Sequence, residues 1–178
     1  MQDSAPHHKF LTPEEAYAVD GAMLSTMEKF ITRITISSMR MLAHIAQAYG
    51  LHGEELQTSQ IVKWIENDAK IRREQGDAAA FLQWSGGGDR DVDLDFADTR
   101  EDEVTGANLT SYEKFLTRMT ISAMQALVPI AQAYNLHIEQ LSAAQIIAWF
   151  EQDARRKRES QSDPIYSTTK LCEEGLQG

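Results

Sequence analysis

A single cysteine, Cys172, occurs in 178 residues, so no internal disulfide can staple the fold. A reducing compartment is the expectation, and the cytoplasm is its default. No stretch reaches the roughly 18 consecutive apolar residues of a membrane span, and Met1–Lys9 has no apolar segment behind a basic start. Neither insertion nor export is expected. No convincing strand pattern is present, and with it goes any glycine-rich phosphate loop that follows a strand. No nucleophile sits beside an oriented base in a recognisable pattern. We therefore assign no catalytic residue, no metal site and no cofactor from the sequence, and expect no enzyme.

What the chain does have is a duplication. Residues 25–75 and 110–160 align without a gap at an offset of 85, with 27 of 51 positions identical. The best-matched stretches are Glu28–Arg33 with Glu113–Arg118, Ile45–Tyr49 with Ile130–Tyr134, and Gln60–Glu66 with Gln145–Glu151. The organisation read from this is an N-terminal extension with a short helix (1–24), repeat one (25–75), an acidic glycine-containing linker (76–109), repeat two (110–160) and a tail (161–178). A lone unit of about 50 residues buries a small fraction of its surface and is marginal by itself. The two copies are expected to pack on each other, as a pseudo-twofold intramolecular dimer or, alternatively, as a side-by-side stack.

Helix signals are dense. Thr12-Pro13-Glu14-Glu15 reads as a capped start, and Ser25 with Glu28 and Thr110 with Glu113 form capping boxes. Phe30, Ile34, Met41, Ile45 and Tyr49, with Phe115, Met119, Leu127, Ile130 and Tyr134, recur at helical spacing. Gly50 and Asn135 suit a left-handed C-cap. Pro129 predicts a kink or break near Leu127–Pro129, because proline removes a backbone donor inside a helix. A last helix in each copy, from Thr58 and from Ser142, presents Trp64 or Trp149 on its apolar side. Both tryptophans are predicted to be buried against the first helix of their own copy, and Trp84 in the linker to be partly exposed. The fold class is all-α.

The net charge of −10 is unevenly distributed: each repeat is +1, the linker is −7, and the N-terminal 24 and C-terminal 18 residues add −3 and −2. Asp89–Glu103 carries eight acids. Its alternating aspartates resemble the opening of a calcium loop, but the turn-glycine and closing-acid positions hold Leu94 and Arg100. A solvated linker lying transiently over basic helix ends is the expectation. His52 and His137, at equivalent positions, read as polar turn residues, and His7-His8 falls in the terminal tail.

Two function classes follow. The first is a non-enzymatic interaction or adaptor protein that binds a protein partner through a duplicated polar face. Lys29, Thr32 and Arg33, repeated as Lys114, Thr117 and Arg118, lie at i, i+3 and i+4. The alternative is nucleic-acid binding. Leu141-Ser142-x-x-Gln145-Ile146-x-x-Trp149-Phe150-Glu151-Gln152 with the following cations resembles the recognition helix of homeodomains, and Trp64-Ile65-Glu66-Asn67 places an asparagine where that family reads adenine. The resemblance implies base or phosphate contacts from Asn67, Lys70, Arg72, Arg73, Gln152, Arg155, Arg156, Lys157 and Arg158. Departures are Asp68 and Asp153 in place of phosphate-binding arginine, and Gln152 in place of asparagine. Read instead as ordinary helix chemistry, Asp68–Arg72 and Asp153–Lys157 are i,i+4 ion pairs.

Overall fold

The computed structural model describes residues 11–82 and 102–162, with the side chains of 161–162 left out. Its helices are α1 (Pro13–Gly21), α2 (Thr26–Tyr49), α3 (Thr58–Gln75), α4 (Glu103–Gly106), α5 (Ser111–Tyr134) and α6 (Ala143–Ser162). Short 3₁₀ turns at Gly53–Glu55, Asp77–Ala79 and Ile138–Gln140 join or follow them. No strand occurs among the described residues. His7-His8, Trp84, most of the acidic run from Asp89, and Cys172 in the tail lie outside them.

Helices α1, α2 and α5 begin where a hydroxyl and a carboxylate satisfy free N–H groups at the first turn. Thr12 and Glu15, Ser25 and Glu28, and Thr110 and Glu113 all form reciprocal capping boxes. Ser142 accepts from Gln145 N–H at 3.3 Å while its own N–H donates to Gln145 Oε1 at 2.8 Å. Gly50 and Asn135 end α2 and α5 with φ of 66° and 53°. Helix α5 is unbroken from Ser111 to Tyr134 with Pro129 inside it, so the expected break is absent. Pro129 is exposed, where water can reach the carbonyl that the proline leaves without its usual donor.

The two long helices α2 and α5 pack together at the centre, α2 lies on α6, and α3 lies on α5. Helix α1 rests on α2 and on α6, and α4 rests on α5 and on α3. The last helix of each copy therefore touches the first helices of the other. Reciprocal hydrogen bonds across the interface follow the 85-residue offset. Met23 N–H donates to Glu151 Oε1 at 2.8 Å and Asn108 N–H donates to Glu66 Oε1 at 2.6 Å. Arg158 donates to Met23 O at 2.8 Å and Arg73 donates to Asn108 O at 3.1 Å. Two tandem helical repeats thus form a pseudo-twofold intramolecular dimer, not a stack.

The core contains Ile36, Leu42, Ile45, Ile61, Ile65, Leu127, Ile130 and Ile146, drawn from both copies. Ile45, Leu127 and Ile130 were in the expected stripe, but Phe30, Tyr49 and Tyr134 are exposed. The stripe is displaced because α2 and α5 bury more than one side, against each other and against the last helices. Trp64 and Trp149 are half-buried at the core edge, not enclosed. Trp64 meets His44 of its own first helix edge-on at 5.4 Å, and Phe81 stacks on His44 at 3.9 Å.

The duplicated unit is longer than residues 25–75 and 110–160. Val19 and Val104 are buried equivalents, and Gly21, Ala22 and Leu24 match Gly106, Ala107 and Leu109 at the same offset. Helices α1 and α4 are equivalent parts of the two copies.

Candidate functional site

The duplicated polar trio turns out to be an intramolecular clamp. Lys29 Nζ donates to Asp20 O at 2.7 Å, and Lys114 Nζ donates to Thr105 O at 2.9 Å, each satisfying a carbonyl in the last turn of the preceding helix. Arg33 pairs with the Asp20 carboxylate, and Arg118 reaches Asp102 Oδ1 at 3.3 Å and Thr105 Oγ1 at 2.8 Å. Thr32 and Thr117 are 0% exposed, so no partner can touch them. Their hydroxyls donate to Glu28 O and Glu113 O, both at 2.7 Å. This is the helical Ser/Thr back-bond, which lets a threonine face the core. The sameness of Lys29, Arg33 and Glu66 with Lys114, Arg118 and Glu151 is thereby explained by folding, since each makes a bond that both copies need.

The basic helix ends are also engaged. Arg72 is only 9% exposed as a side chain and holds Asp68 at 3.0 Å, Glu113 at 2.6 Å and Leu82 O at 3.0 Å. It is withdrawn from any phosphate. The same Asp68 carboxylate accepts from the N–H groups of Phe81 and Leu82 at 2.7 and 3.1 Å, pinning the chain after α3. Lys70 pairs with Glu74 at 3.9 Å and Lys157 with Asp153 at 2.5 Å, while Arg73 and Arg158 grip backbone carbonyls of the opposite copy. Asn67, Gln152, Arg155 and Arg156 are exposed.

Two features remain that local reading of the sequence missed. One is an exposed apolar surface on copy one. Met23 is 73% and Met27 65% exposed, and Phe30 and Ile31 follow Met27 at i+3 and i+4, so the three share one side of α2. Copy two places Asn108, Tyr112, Phe115 and Leu116 at the equivalent positions, with Phe115 and Leu116 partly buried. The basic end of α6 borders this surface, because Arg158 donates to Met23 O at 2.8 Å.

The other feature lies on the pseudo-axis. His52 and His137 stack with ring centres 3.6 Å apart and planes 2° from parallel. His52 Nδ1 bonds Glu139 Oε1 at 2.6 Å, and His137 Nδ1 bonds Glu54 Oε1 at 2.5 Å. The second oxygens of Glu139 and Glu54 accept from Gly53 N–H and Ile138 N–H, both at 3.2 Å. Burial opposes ionisation of Glu54 and Glu139, but the histidine and backbone donors outweigh it and hold both carboxyls below the usual range. The Glu139 hydrogen bond pushes His52 up. A sequence signal for this cluster existed: His-x-Glu occurs once in each copy at the same offset. Beside it runs an open groove of about 550 Å³ lined by Arg40, His44, Gln47, Leu51, Phe81 and Glu139, among others.

Compared with known families, residues 11–85 and 97–167 match the one described as NDH complex assembly factor CRR9. The chain belongs to the CRR9 family. The two matched stretches begin upstream of residues 25 and 110, in keeping with a CRR9 unit that includes α1 and α4. No curated protein and no solved structure matches the chain. Among the described residues, no helix is long and apolar enough to cross a membrane.

Proposed function

We propose that this chain acts without catalysis, as an assembly factor that binds a protein component of the NDH complex through the exposed apolar surface of copy one. The observation that carries this reading is that Met27, Phe30 and Ile31, all exposed, share one side of α2, with the exposed Met23 just before that helix. Contiguous exposed apolar side chains on a soluble fold mark interaction sites, and methionine adapts its flexible side chain to an irregular partner. Membership of an assembly-factor family supports the partner class. Two copies have diverged here while staying alike in the core and in the clamps, as expected when one surface takes a specialised role. The bordering basic end of α6 favours a partner segment with apolar residues and an acidic flank.

Co-purification of the full chain with tagged NDH complex subunits tests the proposal. Met27→Glu combined with Phe30→Glu is expected to weaken capture at least about tenfold, as loss of a buried contact pair does, while the melting temperature stays nearly constant. Capture equal to that of the unaltered chain would overturn the assignment of this surface.

A further inference from the structure

We propose that the stacked histidines on the pseudo-axis form a site for a divalent transition-metal ion, with His52, His137 and Glu139 as ligands. One ring nitrogen from each histidine and one Glu139 carboxylate oxygen lie within 4.8 Å of one another. An ion bound tetrahedrally at about 2.0–2.1 Å sets its ligand atoms about 3.3 Å apart, so the most widely separated of these donors has to close by at most about 1.5 Å, while Glu139 gives up its hydrogen bond to His52 Nδ1 for the ion. The freedom to do so is present. The histidine side chains are 48% and 44% exposed, and each carboxylate partner is 29% exposed. Nitrogen lone pairs lie in the ring plane, so binding turns the stacked rings out of parallel toward one point, a rotation that their exposure allows.

The donor chemistry selects the ion. Two imidazoles with one carboxylate suit zinc, nickel, cobalt or copper, whereas calcium and magnesium require mostly oxygen donors. Glu54, bonded to His137 Nδ1, is placed to orient that ring, the role a carboxylate commonly plays behind a metal-bound histidine. The duplication adds an independent argument. Both copies keep His-x-Glu, while the residue between changes from Gly53 to Ile138 and the residue after from Glu55 to Gln140. Because the two ligand histidines come from different copies, the ion would tie the two 3₁₀ turns together and favour the folded chain. This site stands apart from the apolar surface, and neither depends on the other.

The test uses the full chain freed of metal by a chelator and titrated with zinc chloride by calorimetry, with cobalt(II) absorption as a report on geometry. Expected are one ion per chain, a rise in melting temperature with zinc but not with magnesium, and the visible bands of tetrahedral cobalt. His52→Ala with His137→Ala should abolish binding, and Glu139→Gln, which keeps a hydrogen-bonding side chain in place, should weaken it about tenfold or more. His7→Ala with His8→Ala should leave it unchanged. Binding that survives the His52/His137 change, that disappears with the His7/His8 change, or that is absent from the unaltered chain at micromolar zinc would overturn the proposal and leave the His–Glu pairs as hydrogen-bonded latches.

Discussion

Gly53 illustrates what a duplication allows a single residue to do. A Cβ placed on Gly53 would stand 2.9 Å from Ile138 Cβ, and Ile138 is Gly53's own equivalent across the pseudo-axis. In a true homodimer that position would face itself, as a hole for two glycines or a clash for two isoleucines. With both copies in one chain, the pair becomes complementary. Gly53→Ala is expected to cost about 1–3 kcal/mol as overpacking, and clearly less in an Ile138→Ala background, measured by urea unfolding of the four-member cycle. Arg72 makes a second residue-scale case. Its removal leaves Asp68 and Glu113 buried without their cation, so Arg72→Ala should cost about 3–5 kcal/mol. Arg72→Lys should recover only part of that, since an ammonium cannot reach both carboxylates and Leu82 O in the guanidinium's forked geometry. Equal stabilities of the Ala and Lys variants would contradict the network's role. Neither case was legible from the sequence beyond the i,i+4 spacing of Asp68 and Arg72, because Glu113 lies 41 residues away.

At the scale of elements, the short helix α1 is held by charge as well as by the burial of Val19. Glu15 pairs with Arg40 of α2 and also closes the α1 capping box at Thr12 N–H, 2.9 Å away. Burial would raise the Glu15 carboxyl, but Arg40 and Thr12 together hold it below its ordinary 4.5. A depressed carboxyl pKa stabilises the fold above the unfolded value, and that contribution disappears as pH falls through the folded one. Glu15→Gln, which keeps the cap but loses the charge, should cost about 0.5–1 kcal/mol near neutral pH. The gap between the two proteins should close below pH 4.5, followed by denaturant unfolding across a pH series. A gap that stays constant into acid would show that charge is not what Glu15 contributes. The caps and the left-handed ends at Gly50 and Asn135 were readable in the sequence because they are made by residues within a few positions of one another. The run of α5 through Pro129 was not, since a proline's effect depends on whether packing and solvent can support the helix around it.

At the scale of the whole molecule the copies interlock, with α1 on α6 and α4 on α3, so neither copy holds a complete core. Residues 11–82 and 102–162 expressed separately should each show little helix by circular dichroism, and mixing them should restore it. Stable folding of either piece alone would refute the interlocked description. The sequence by itself determined the helical class, the duplication and most helix ends, because periodicity, capping and repetition are written in the spacing of neighbours. It also carried the His-x-Glu pair and the upstream Val19–Leu24 match, both recoverable from the same offset. Only the tertiary structure decided that Thr32 and Thr117 face inward, that Lys29, Arg33 and their copies clamp α1 and α4, and that His52 meets His137. The physical reason is that an offset of 85 identifies equivalent residues without specifying the rotation that relates them. That rotation is set by which helix faces bury the most apolar surface together, a property of both copies at once.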